Sequence, residues 1–231
     1  MLVFSVIAAA FCSPSRNAAK QPQIRYQLDT KPMPKTLSEF STHVETSEKS
    51  RNANIRLAAS HINGLVLKPK ETFSFNNIVG ERTEVLGYKN APTLTSFGKI
   101  EGIGGGICQL AGTIYNAVLL ADLEIIERHP HGLRVRYIAA GRDATVSPVD
   151  DLKFTNTHSG PIRLVVYLKG PRLICQIEST APLGKQVDIN VEISRLPDGN
   201  MLARTYRQIS QKGKEVQREA ISEDVYPIPH N

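Results

Sequence analysis

The chain has 231 residues, of which 41% are apolar and 22% charged. These are the proportions of a soluble globular protein, long enough for one sizeable domain with an appendage or for two small ones. A net charge of +6 and a pI near 9.3 suit an anionic environment such as a cell wall. The basic residues are scattered and not interleaved with aromatics, so they give no nucleic-acid footprint, and three cysteines are too few for a disulfide framework.

Residues 2–12 form an uncharged apolar run, Leu-Val-Phe-Ser-Val-Ile-Ala-Ala-Ala-Phe-Cys. It is too short for the roughly 20 residues that span a bilayer but matches a signal-peptide core. No Lys or Arg precedes it, which leaves a truncated start, a weak signal or a buried strand as readings. A lipid anchor on Cys12 is disfavoured by bulky Phe11. Residues 13–35 carry Pro14, Pro22, Pro32 and Pro34 and read as a tether.

Order is expected from residue 36 onward, around Leu37, Phe40 and Val44. The spacing of Ile55, Ala58, Ala59 and Ile62, with Gly64 as a stop, predicts a helix over 51–63. His61 lies on it with no companion at ligand or base spacing. Leu65–Leu67 and Thr72–Asn76 read as strands on either side of a Lys68-Pro69-Lys70 turn. Arg82, Gly87, Tyr88 and Asn90 follow in a glycine-punctuated stretch that could line a cleft or simply turn the chain.

Gly102, Gly104, Gly105 and Gly106 then lead into Cys108. Leu110, Ile114, Ala117, Val118 and Ala121 continue at helical intervals, predicting a helix over 108–122 with the cysteine at its N-terminus. Unpaired N–H groups and the positive dipole end of a first turn favour a thiolate and can donate to an oxyanion. The glycines would let the backbone approach a substrate. A lone cysteine is also often a small buried apolar residue. A phosphate loop fails in detail: counting from Gly102, the sixth place of the dinucleotide fingerprint is Ile107, and no Lys-Ser or Lys-Thr follows the glycines.

Leu123–Glu127 reads as a short strand delivering His129 and His131. Either histidine could be the base for Cys108; the pair with Cys108 could bind zinc, short of a fourth ligand; or both could be loop residues. Strands are expected at Leu133–Ile138 and again at Asp143–Val146 beyond a turn at Gly141. Asp143 would orient an imidazole or merely close its own turn. The pattern stays strand-rich through 151–156, 161–168, 173–177, 187–193, 203–209 and 215–221. Cys175 alternates with Leu173 and Ile177, so one strand face would carry all three into a core.

Several of these segments together resemble the VanW family: Thr72-Phe73-Ser74-Phe75-Asn76, Val79-Gly80-x-Arg82, Gly87-Tyr88, Gly104-Gly105-Gly106-Ile107-Cys108-Gln109, Tyr115-Asn116-Ala117, Glu127-Arg128-x-x-His131, Asp143-Ala144-Thr145-Val146 and Asp151-Leu152-Lys153-Phe154-x-Asn156. The resemblance covers roughly 36–170. It implies extracytoplasmic cysteine L,D-transpeptidase activity on peptidoglycan stem peptides, with Cys108 as nucleophile and His131 rather than His129 as base. Asp143 matches a family element, and its catalytic role is inferred. Where relatives have His-Ser this chain has His131-Gly132.

These readings combine into an α+β fold: two main helices on mainly antiparallel strands, with a C-terminal β extension. The expected division is a signal-like segment at 1–12, a tether at 13–35, a VanW-like domain at 36–170 and the extension at 171–231. Expected substrate contacts are Gly104, Gly105, Gly106, Gln109, Arg82, Tyr88 and His129, with no cofactor and no metal. Stem peptides and anionic wall polymers are the expected partners, with no nucleic acid, and with the membrane reached only through the N-terminal signal or a weak lipid anchor. A non-catalytic wall-binding or resistance accessory module, and a cysteine peptidase acting on stem peptides, are the alternatives. Cys108 and His131 lie 23 positions apart. A helix of about 14 residues advances roughly 21 Å, of which a five-residue strand recovers some 17 Å, so the Pro130 loop must close the rest if the two side chains are to meet.

Overall fold

The computed structural model describes residues 27–29, 31–95 and 98–228. The expected signal-like segment, Cys12 and most of the tether lie outside the described residues.

The main layer is a five-stranded antiparallel sheet, in order β1 (Gln27–Leu28), β3 (Leu65–Leu67), β9 (Ile162–Lys169), β10 (Arg172–Ser179) and β2 (Lys35–His43). Two helices pack on it, α1 (Lys49–Ile62) and α3 (Ile107–Leu120), within a residue or two of their expected bounds. Ile55, Ala58, Ala59 and Ile62 of α1 and Leu110, Ile114, Ala117 and Val118 of α3 meet Leu164, Val166, Leu173, Cys175 and Ile177 in one core. Every residue of α3 except Cys108 and Leu120 is buried, as suits a helix apolar on nearly all sides. The fold is α+β, as expected.

Two smaller units flank this layer. β4 (Thr72–Ser74), β8 (Lys153–Thr155) and β7 (Glu124–Glu127) form a three-stranded sheet, sealed by Phe73 stacked on Phe154 at 4.6 Å. β5 (Asn90–Thr95) and β6 (Gly98–Ile103) form a hairpin leading into α3. The strand expected over 72–76 stops at Ser74, because that hydroxyl accepts the Asn77 N–H at 3.2 Å and caps a short helix, α2 (Phe75–Val79).

The expected strands at 133–138 and 143–146 do not form. Alternation in Leu133–Tyr137 reflects a wall with one buried residue, Val135, between exposed Arg134 and Arg136, and no strand pairs with it. At 143–146 only an isolated bridge forms, Thr145 opposite His129. The C-terminal sheet is a meander of β11 (Gln186–Arg195), β12 (Met201–Gln211) and β13 (Lys214–Tyr226). A division at 171 would cut the β9–β10 hairpin, whose strands pair along their full length inside the main sheet. The meander packs on α3, and Arg207 locks it in place by donating to the Leu123 carbonyl at 2.8 Å beside Asp122.

Candidate active site

Cys108 is the second residue of α3, and the turn before it fits only because it lacks side chains. Gly104 and Gly106 have positive φ, 79° and 104°. A Cβ on Gly105 would sit 2.5 Å from the Ala91 carbonyl oxygen, so the turn is pressed onto β5 and the helix start is fixed. Within it the Ile107 and Gln109 N–H groups donate to Gly104 and Gly106. Among the described residues the Cys108 N–H finds no acceptor, which leaves it available to an oxyanion beside the sulfur.

The chain returns as the spacing required. β7 pairs with β8, and residues 128–131 carry the backbone back to the start of α3. The His131 ring and the Cys108 sulfur line one cleft, close enough for each to shift the other's ionisation. The ring Nδ1 donates to Asp143 Oδ2 at 2.7 Å, and the His131 backbone N–H donates to the same oxygen at 2.7 Å. With Nδ1 taken, Nε2 is the nitrogen left for sulfur. Asp143 is fully buried; its other oxygen accepts from the Tyr226 hydroxyl and faces Arg128 at 3.3 Å. Thiol, imidazole and carboxylate therefore follow one another from the cleft into the core, with Asp143 fixing the ring of His131.

Electrostatics favour an ion pair. Burial pushes the Cys108 thiol up, but the His131 hydrogen bond and charge, with Arg82 beyond them, outweigh it and leave the thiol below its ordinary value. Burial lowers His131, and the Asp143 hydrogen bond followed by the Cys108 contact more than compensate, raising it to about 9. Burial also opposes ionisation of Asp143, yet His131, Arg128 and Tyr226 hold it below the usual carboxylate range. The Val146 carbonyl, 3.6 Å from the sulfur, accepts the proton when the thiol form is present.

These groups open on a cleft of about 2,030 Å³. Arg82 lines it, one N–H group donating to Asn76 Oδ1 at 2.6 Å and the guanidinium lying 5.6 Å from the Phe75 ring centre. Gly104 and Gly106 line the cleft too, while Gly105 faces β5. Other expected contacts serve the scaffold. Gln109 also lines the cleft but is 2% exposed, its oxygen accepting from Arg51 at 2.8 Å and its amide donating to the His43 carbonyl at 2.6 Å. Tyr88 is buried off the cleft wall with an unpartnered hydroxyl. His129 lies off the cleft, 3.1 Å from Glu127 and 3.6 Å from Asp150, so the zinc arrangement with His131 and Cys108 is not assembled. Among the described residues no group of three or more His, Cys, Asp or Glu side chains is arranged to hold a metal.

Sequence reading missed Arg51, Arg128, Tyr137, Asp224 and Tyr226. Tyr137 sets its ring edge-on to His131, centroids 6.4 Å apart, and approaches Gly112, one turn after Cys108. Only Arg128 had a signal, its place in the Glu127-Arg128-x-x-His131 segment.

The family described as VanW like protein matches residues 50–178, more than half of the chain. The chain belongs to the VanW family. It is 40% identical over 163 residues to "Uncharacterized protein YoaR" of Bacillus subtilis (strain 168), covering 70% of this chain and 54% of the relative. It is 32% identical over 137 residues to "Vancomycin B-type resistance protein VanW" of Enterococcus faecalis (strain ATCC 700802 / V583), covering 56% and 50%. The VanW-family chain thus spans about half the length of the curated relatives it matches. No solved structure matches it. Cys108, Arg128, His131 and Asp143 fall inside the family span, and Asp224 and Tyr226 fall beyond it.

Proposed function

We propose that this VanW-family chain is an extracytoplasmic cysteine acyltransferase of the L,D-transpeptidase type, acting on peptidoglycan stem peptides. The observation that carries the reading is the His131 ring, fixed by buried Asp143, sharing one cleft with Cys108 at a helix N-terminus. The resistance named for the E. faecalis relative supports a cell-wall setting, as does the basic net charge of +6.

In this mechanism the Cys108 thiolate attacks the carbonyl carbon of the L-to-D bond, and the Cys108 N–H receives the developing oxyanion. As the C–N bond breaks, the His131 imidazolium gives its proton to the leaving amine, releasing the terminal D-residue. A neighbouring stem-peptide amine then attacks the thioester, His131 takes its proton and the thiolate departs. Arg82 is half-buried in the same cleft, bonded to Asn76 and within electrostatic reach of Cys108. In this reading its guanidinium holds the free carboxylate of the departing residue. Anionic wall polymers would meet the exposed Arg134 and Arg136 at the cleft rim.

Incubation with a carbapenem or a stem tetrapeptide, followed by intact-mass analysis, tests this. Acylation of Cys108, absent in Cys108→Ala, is the expected outcome, and an added diamino acid amine should yield the cross-linked product rather than the free acid. Release of free acid alone would make the protein a peptidase. Folded protein that never acylates points to a non-catalytic accessory module.

A further inference from the structure

The buried end of the triad is held from outside the family span. On β13, Tyr226 is 2% exposed; its hydroxyl donates to Asp143 Oδ1 and accepts the Gly141 N–H at 2.9 Å. Two residues earlier, on the same strand face, Asp224 is 4% exposed and takes two bonds from Arg128 Nη1, at 2.7 and 2.6 Å. The same Arg128 donates its Nε–H to the Asp143 backbone carbonyl at 2.7 Å and faces Asp143 Oδ1 at 3.3 Å. Asp143 therefore divides its charge: Oδ2 serves His131, and Oδ1 serves Tyr226 and Arg128.

We propose that β13 is part of the reactive centre, with Tyr226 and Asp224 acting as positioning residues that set how much negative charge Asp143 presents to His131. The two act in opposite senses. The Tyr226 hydroxyl draws charge toward Oδ1, so its removal strengthens the hold of Asp143 on the imidazolium. Asp224 occupies the Arg128 charge, so neutralising it frees Arg128 to draw on Asp143 and weakens that hold. The other charged or titratable groups facing this network are Cys108 and Tyr137 at His131, Arg82 near the sulfur, and Tyr115 and Arg142 around Arg128. Neither substitution replaces any of them, although Tyr115 faces the Asp224 charge and Tyr137 faces Tyr226. A strand that merely stabilised the fold would, on losing either contact, loosen Asp143 and weaken its grip on His131 in both cases.

The test follows the His131 ring by NMR titration in the full chain and, in parallel, the pH dependence of Cys108 alkylation by iodoacetamide, with mass assignment of the modified peptide. Tyr226→Phe should move the His131 transition upward from about 9, and Asp224→Asn should move it downward, each by about half a pH unit or more. Shifts of the same sign in the two folded variants, or none in either, overturn the proposal. If Asp224→Asn does not fold, Tyr226→Phe decides alone, because loss of the donor raises the transition and loss of position lowers it. No peptide substrate enters the measurement, so its failure is distinct from failure of the acyl-transfer reading.

Discussion

A thiolate and an imidazolium facing each other in a partly desolvated wall titrate as a pair, each charge sustaining the other. Cys108→Ala removes the anion, so the His131 transition should fall from about 9 toward the ordinary histidine range; NMR titration of the ring reads this, and an unmoved transition would mean that Asp143 alone sets it. The sign for stability follows. A histidine raised on folding stabilises fully below its unfolded value near 6.5 and ceases to do so as pH climbs through about 9. Asp143 is depressed, so its contribution holds at neutral pH and is lost on acidification. Cys175 provides the contrast: buried in the apolar core with burial alone acting on it, its thiol is driven far up and should not alkylate. Tyr88 was expected to touch substrate, yet its hydroxyl is buried without a partner and off the cleft. Tyr88→Phe should leave Cys108 alkylation unchanged and raise stability by about 1 kcal/mol in urea denaturation; slower alkylation would return Tyr88 to the site.

At the scale of elements, the glycine turn and its helix were legible because their determinants are local: glycines where φ is positive, then apolar residues at intervals of three and four. Gly105 shows the limit of that legibility. It resembles a substrate-facing residue in sequence, whereas the space it leaves empty belongs to β5. Gly105→Ala should therefore cost roughly 1–3 kcal/mol in chemical denaturation, since the turn must move away from the β5 backbone to admit a methyl group. It should also slow alkylation of Cys108; wild-type stability would show that the turn relaxes freely. The alternation at Leu133–Tyr137 misled for a related reason. A period of two marks a segment with one side in and one side out, and a cleft wall satisfies that as well as a strand does. The cap at Ser74 that cuts the expected strand was visible only as a serine among aromatics.

Across the whole molecule, the topology ties distant segments together. β2 pairs with β10, so Glu39 bonds Gln176 across 137 positions at 2.7 Å. By contrast, among the described residues the strands of the β5–β6 hairpin pair with each other and join no larger sheet. Native-state hydrogen exchange should accordingly show β9 and β10 among the slowest amides and the β5–β6 hairpin among the fastest; equal protection would mean that the hairpin opens only with the whole fold. The layer architecture was legible from strand and helix spacing, but strand order was not, because pairing partners leave no mark on each other's local pattern. The bond from Tyr226 to Asp143, made across 83 positions, was hidden for the same reason.

That dependence on β13 also sets an order in time. A ribosome delivers Cys108, then His131 and Asp143, well before it delivers Asp224 and Tyr226, and β13 can pair with β12 only after the intervening turn has emerged. Until then Arg128 lacks its Asp224 partner and Asp143 lacks one of its donors. The hydrogen bonds that surround Asp143 and Arg128 are therefore completed only once β13 has docked, after Cys108, His131 and Asp143 have already emerged.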